Sequence, residues 1–240
     1  MEEGNAKSNT ENKENKDDDL SAEEWFEKGL KTDNLQEKII YFQKSLEKKP
    51  KNPSAWNNLG IALFNLGRQE EAIQCFVRAV ELDTYYIDGL FNLGIALMTG
   101  RKFKEALQCF ERILKINEND YNALANMGYV LYNLGNYEEA EQRIKKAIDL
   151  APENPTAWYN LGMIHYLKER FEEAVKCFEK VLEINPKNMQ AMNNIGIILG
   201  RMGKFDEAIE VFDKVLSIEP ENEVAMFNRQ FVIQRKESTS

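Results

Sequence analysis

Cysteine, histidine and asparagine are the side chains here whose type and spacing could do chemistry. Cys75, Cys109 and Cys177 form an odd set with no CxxC pair, and all three fall at one place in a 34-residue period. Stacked helices lie about 8–10 Å apart, whereas a disulfide needs Cα atoms within roughly 7 Å. The cysteines therefore read as a copied helix residue, not a bridge, a metal site or a nucleophile. His165, the sole histidine, shares its register with Leu63, Leu97, Leu131 and Leu199 and reads as a core residue. The recurring "EEA" carboxylates open helices, where the dipole and solvent favour them. The asparagines differ. Asn58, Asn92, Asn126, Asn160, Asn194 and Asn228 recur every 34 residues inside apolar helical stretches such as "AWYNLGMIHY". Asn costs roughly 0.5 kcal/mol relative to Ala in a helix interior. Its amide offers two donors and an acceptor, so the chemistry it suits is hydrogen bonding to a polypeptide backbone.

The elements that must position these residues are repeats. With Pro53 as position 1, the units are 53–86, 87–120, 121–154, 155–188 and 189–222. Position 8 is Gly60, Gly94, Gly128, Gly162 and Gly196; position 20 is Ala72, Ala106, Ala140, Ala174 and Ala208. Position 24 is Phe76, Phe110, Ile144, Phe178 and Phe212, and position 32 is Pro152, Pro186 and Pro220 in the last three units. Each unit predicts helix A over positions 1–14 and helix B over about 17–30, with small residues at 8 and 20 so that the backbones approach. Asn52, Asp120, Asn154, Asn188 and Asn222 are N-cap candidates. Gly67, Gly135 and Gly203 mark the turn between the helices, and the prolines stop helix B. Such pairs bury their apolar faces only by stacking.

The pattern W-x2-L-G-x2-Y, A-x3-F, P resembles the tetratricopeptide repeat. "WNNLGIAL…EEAIQCFVRAV" and "WYNLGMIHY…EEAVKCFEKVLEINP" carry the resemblance. Residues 21–52 keep Trp25, Gly29, Phe42 and Pro50 and read as a degenerate first repeat with a shortened turn, "KTDNLQEK". Residues 223–240 begin another helix A but place Arg229 and Gln230 at positions 7 and 8, as a capping helix with one wet face would, before a frayed end. The resemblance implies an all-α fold, a right-handed superhelical solenoid of antiparallel helix pairs with a C-terminal capping helix.

At 100° per residue, positions 4, 7, 8 and 11 of helix A face helix B, and positions 2, 5, 6, 9 and 13 face away. A surface helix would be charged there. Instead position 9 carries Ile61, Ile95, Tyr129, Met163, Ile197 and Phe231; position 12 adds Phe64, Met98, Tyr132 and Tyr166; position 5 adds Phe91, Tyr159 and Phe227. Asp88 and Arg201 are the charged exceptions. In the family these positions line a concave surface that binds extended peptides. Helices about 10 Å apart and a chain advancing about 3.3 Å per residue would bring one Asn to every third backbone residue. The arrangement is similar to the asparagine ladder of O-linked N-acetylglucosamine transferases, without their catalytic half. The clamp that holds acidic chaperone C-termini has no counterpart, because position 5 is never Lys and position 9 is apolar.

A net charge of −9 argues against nucleic acid and anionic membrane as partners. Residues 1–20, with seven acids and three lysines, predict a disordered acidic tail. No stretch is apolar enough to span a membrane, no signal peptide opens the chain, and an odd cysteine count suits a reducing cytoplasm. The expectation is a non-enzymatic scaffold or adaptor without cofactor or metal, holding an extended peptide with the six asparagines and Phe91, Tyr129, Tyr132, Tyr159, Met163 and Tyr166. The alternatives are homo-oligomeric self-assembly and a subunit that targets a separate enzyme.

Overall fold

A computed structural model describes residues 20–239; the acidic segment read over residues 1–20 lies outside them except for Leu20. Among the described residues there are thirteen helices and no strand. They divide into two compact units at Ile116/Asn117. The first holds α1 (Ala22–Lys31), α2 (Leu35–Lys48), α3 (Pro53–Asn65), α4 (Gln69–Leu82), α5 (Ile87–Thr99) and α6 (Phe103–Ile116). The second holds α7 (Tyr121–Asn133), α8 (Tyr137–Leu150), α9 (Pro155–Leu167), α10 (Phe171–Ile184), α11 (Met189–Arg201), α12 (Phe205–Ile218) and α13 (Glu223–Thr239). Odd-numbered helices are A helices and even-numbered ones B helices, and within each unit successive pairs stack.

Side-chain caps and prolines set the ends of several helices. Asp120 accepts from the Ala123 amide at 2.8 Å, and Asn188 and Asn222 do the same for Ala191 and Ala225 at 2.9 Å. Asn52 and Asn154 cap α3 and α9 in the same way. At the other end, α8, α10 and α12 stop two residues before Pro152, Pro186 and Pro220. The residues preceding those prolines, Ala151, Asn185 and Glu219, leave the helical region with ψ of 77°, 89° and 91°, as the proline ring disfavours a helical neighbour. Trp56 and Trp158 tie this loop down, their indole N–H groups donating to the carbonyls of Pro50 and Pro152 at 2.9 and 2.8 Å.

Within each pair, the space left by the position-8 glycine is filled by a side chain of helix B. A Cβ on Gly60 would stand 2.6 Å from Phe76, and one on Gly94 2.8 Å from Phe110. Gly128 faces Ile144 in the same manner. The close approach expected between glycine and the position-20 alanine is thus chiefly an approach of glycine to position 24, whose side chains are fully buried at Phe110, Ile144, Phe178 and Phe212.

Two expectations are corrected. The first pair is shorter, but its turn is not: only Thr32 to Asn34 separate α1 from α2, the same three-residue connection found elsewhere. The missing residues belong to α1, which has 10 residues where α3 has 13. Asn34 starts α2 by accepting from the amides of Gln36 and Glu37, so most of "KTDNLQEK" is helix. The turn glycines, with φ of 78°, 83° and 78°, are also only part of that set: Arg101 and Glu169 take the same left-handed conformation at φ 58° and 56°. The geometry of the turn dictates the backbone whether or not glycine is there to adopt it cheaply.

α13 closes the second unit by burying Ala225 and Val232 against it. Its Arg229 meets Asp213 of α12 at 2.6 Å, and Lys236 meets Asp206. These ion pairs join α13 to α12 across their interface.

Candidate functional site: the inner faces of the A helices

In the first unit, the Asn58 amide donates to the Ser54 carbonyl of its own helix at 2.8 Å. Asn92 donates instead to Oδ1 of the buried Asn57 at 2.9 Å, linking α5 to α3. Phe91 lies edge-on to Phe110, with centroids 6.1 Å apart, so it is half core and half surface. Ile61 stands exposed on α3.

The second unit carries the denser set. Asn126 donates to the Asn122 carbonyl at 2.8 Å. Asn194 reaches the Tyr159 hydroxyl at 3.0 Å and the Met163 sulfur at 3.7 Å. Among the described residues nothing donates to the Oδ1 atoms of Asn126 and Asn194, which leaves their acceptor side open. Asn160 differs from both. It is only 6% exposed, and its Nδ2 lies 3.4 Å from the Ala125 carbonyl. In this state it joins α9 to α7 and is no surface group. Asn228 is half-buried on α13.

Tyrosines surround these amides. Tyr129 and Tyr132 stack at 6.4 Å, and Tyr132 meets Tyr137 edge-on at 5.9 Å. Tyr159 packs edge-on to Phe178 at 5.4 Å, and Tyr166 tilts against Phe171 at 6.2 Å. Burial, together with the neighbouring phenols of Tyr137, Tyr129, Tyr159 and Tyr166, raises the Tyr132 pKa above its ordinary value. The hydroxyl therefore stays a neutral donor at physiological pH. Tyr129 remains 36% exposed. The guanidinium of Arg201 lies 4.9 Å over the Tyr166 ring. Beside it, Ile197, Asn228, Phe231 and Arg235 line a pocket of about 260 Å³. Arg235 was not singled out from sequence, although it stands 34 residues after Arg201, at the same position of its helix.

The residues with reactive side chains sit elsewhere. Cys75, Cys109 and Cys177 are buried and unpaired, and burial pushes each thiol up to about 11, which leaves almost no thiolate at neutral pH. His165 is 7% exposed, and its Nδ1 has no partner among the described residues. Burial lowers its pKa. Next to it in charge, Glu141 meets Lys145 at 2.8 Å, Lys168 at 2.9 Å and Arg170 at 3.7 Å. Burial opposes the ionisation of Glu141, but hydrogen bonds from Lys145 and Lys168 outweigh it and hold the carboxyl at about 2. Among the described residues no group of three or more His, Cys, Asp or Glu is placed to hold a metal, and no helix is long and apolar enough to cross a membrane.

Comparison with known proteins agrees with this architecture. An uncharacterised protein of Methanocaldococcus jannaschii is 36% identical over 67 residues, covering 27% of this chain and 78% of its own. A tetratricopeptide repeat protein from Parabacteroides merdae is 20% identical with a TM-score of 0.77, covering 90% of this chain and 88% of that one. The APC/C hetero-tetramer Cut9–Hcn1 is 19% identical with a TM-score of 0.77, covering 88% of this chain and 42% of that one. YrrB, described as a TPR protein with an unusual peptide-binding site, is 23% identical with a TM-score of 0.58, covering 79% and 97%. At these identities the solved structures speak to the fold alone. A family model for the Cytochrome c-type biogenesis protein H TPR domain matches residues 21–154, and the Tetratricopeptide repeat model matches 155–188 and 190–222. With its helix pairs, glycine–aromatic packing and matches from residue 21 to residue 222, the chain belongs to the tetratricopeptide repeat family.

Proposed function

We propose that this protein is a non-enzymatic scaffold that binds an extended segment of another polypeptide along the inner faces of its A helices. The observation that carries this reading is the wall of α7, α9, α11 and α13. Tyrosines and aliphatic side chains stay part-exposed there, where a solvated helix face would be charged. Tyr129, Tyr132 and Tyr166 supply rigid apolar contact with a polar tip. The open Oδ1 atoms of Asn126 and Asn194 accept backbone N–H groups without selecting a side chain. In the first unit Asn58, Asn92 and Phe91 serve the same role. Asn160, Tyr159 and Met163 shape the wall from partly or fully buried positions.

The buried, unpaired thiols support a reducing compartment, the cytoplasm. Self-assembly is the second reading. It draws on α13, where Phe227 is 72% and Phe231 51% exposed. Light scattering over a concentration series separates the two, since a monomer throughout removes self-assembly.

The test of the main reading compares proteins retained by the wild type with those retained by Asn126→Ala/Tyr129→Glu. Helix content should match in the two. Partners kept by the wild type and lost by the variant support the groove; identical sets of partners refute it.

A further inference from the structure

The pocket between α11 and α13 breaks the charge pattern of its unit. Arg143 holds Glu139 at 3.0 Å, Arg170 holds Glu141 at 3.7 Å, and Arg229 holds Asp213 at 2.6 Å. Arg201 and Arg235 are the unit's remaining arginines, and among the described residues neither has a carboxylate partner. Both line the same pocket of about 260 Å³, together with Ile197, Asn228 and Phe231, and no acidic side chain lines it. Two like charges lining one pocket favour an anion between them. In a chain of net charge −9, these two cations differ from the unit's other three arginines, each of which holds a carboxylate.

The geometry also prepares Arg201 for such a ligand. Its guanidinium carbon lies 4.9 Å from the centre of the Tyr166 ring, a contact that restrains the group, and a guanidinium binds a carboxylate through two parallel N–H groups. Ile197 and Phe231 add apolar surface to the same pocket, and Asn228 adds an amide.

We propose that this pocket receives an Asp or Glu side chain flanked by an apolar residue, both belonging to the extended partner segment. The inference rests on the peptide-binding reading above and adds a specificity element to it. It is distinct from the acidic C-terminal clamp considered from sequence, because its cations stand at position 13 of α11 and α13 and its ligand is an internal side chain.

The test is selection of a phage-displayed random dodecapeptide library on the full-length chain. The peptides are fused through their C-termini, so every peptide carboxylate is a side chain. Four proteins are compared: wild type, Arg201→Gln/Arg235→Gln, Asp17→Asn/Asp18→Asn/Asp19→Asn, and Asn126→Ala/Tyr129→Glu. Peptides selected by the wild type are expected to be enriched in Asp or Glu next to an apolar residue. They should bind the arginine variant about tenfold or more weakly, a loss that one strong charge-assisted contact accounts for, and should weaken with added salt. Binders without acidic enrichment, or with enrichment that survives loss of both arginines, overturn the inference and leave the groove reading standing. Binders that appear only with the aspartate variant make the chain's own acidic segment the occupant and overturn the assignment to a partner. A library that yields no binder sensitive to Asn126→Ala/Tyr129→Glu overturns the groove reading, and the inference with it.

Discussion

The ring of Phe178 occupies the space a side chain on Gly162 would need: a Cβ there would stand 2.9 Å from the Phe178 Cζ atom. Phe178 is fully buried, so the ring has no room to retreat. Gly162→Ala gains about 1 kcal/mol of helix propensity but overpacks the core, which costs about 1–3 kcal/mol. We expect a net loss of stability in chemical denaturation, partly restored by Phe178→Leu in the same chain.

His165 holds a register occupied by leucine in the other four full repeats, and its Nδ1 is buried without a partner among the described residues. Its pKa is lowered in the fold, so the unfolded chain takes up the proton first as pH drops below the ordinary value of 6.5. Stability from neutral His165 is therefore complete above that pH and is lost below it. His165→Leu should stabilise the second unit by about 1 kcal/mol at neutral pH and abolish the decline that begins near pH 6.5. Melting temperatures measured across pH for both proteins check this.

Glu141 behaves in the opposite sense from a more acidic starting point. Its carboxyl is held at about 2 against an ordinary 4.5, so its contribution is present above pH 4.5 and is lost as pH falls towards 2. Glu141→Gln should lower stability by about 1 kcal/mol at pH 7 and flatten the acid limb of the same melting profile between those two values.

The reach of the sequence followed the physics of each feature. Helix periodicity, caps and proline stops are local, and the boundaries of α3 to α12 were legible within a residue. The first pair was misread because its three missing residues could be removed from the turn or from α1, and spacing from Trp25 to Pro50 does not distinguish these. Arg101 and Glu169 escaped notice as left-handed residues because only glycine advertises that conformation. The wall was legible as a set of positions, since it follows from 100° arithmetic. The burial of Asn160 was not, because it depends on how closely α9 approaches α7. The cation pair was half legible: Arg201 stood out, and Arg235 followed from the same period but was read only as part of the capping helix.

The different settings of two ladder residues give a further expectation. Asn160→Ala should cost about 1 kcal/mol of stability, because it removes an inter-helix contact. Asn126→Ala should leave stability within about 0.5 kcal/mol, because its amide bonds only to its own helix. Equal destabilisation by the two, in paired urea titrations, would mean the ladder is one structural device throughout.

The central claim is that the inner wall of the second unit binds polypeptide. Titration calorimetry with a dodecapeptide selected on the wild-type chain measures it directly. The account predicts that Asn126→Ala/Tyr129→Glu, folded to the wild-type helix content, binds that peptide at least about tenfold more weakly, a difference of about 1.4 kcal/mol. Equal affinity for the two proteins would contradict it.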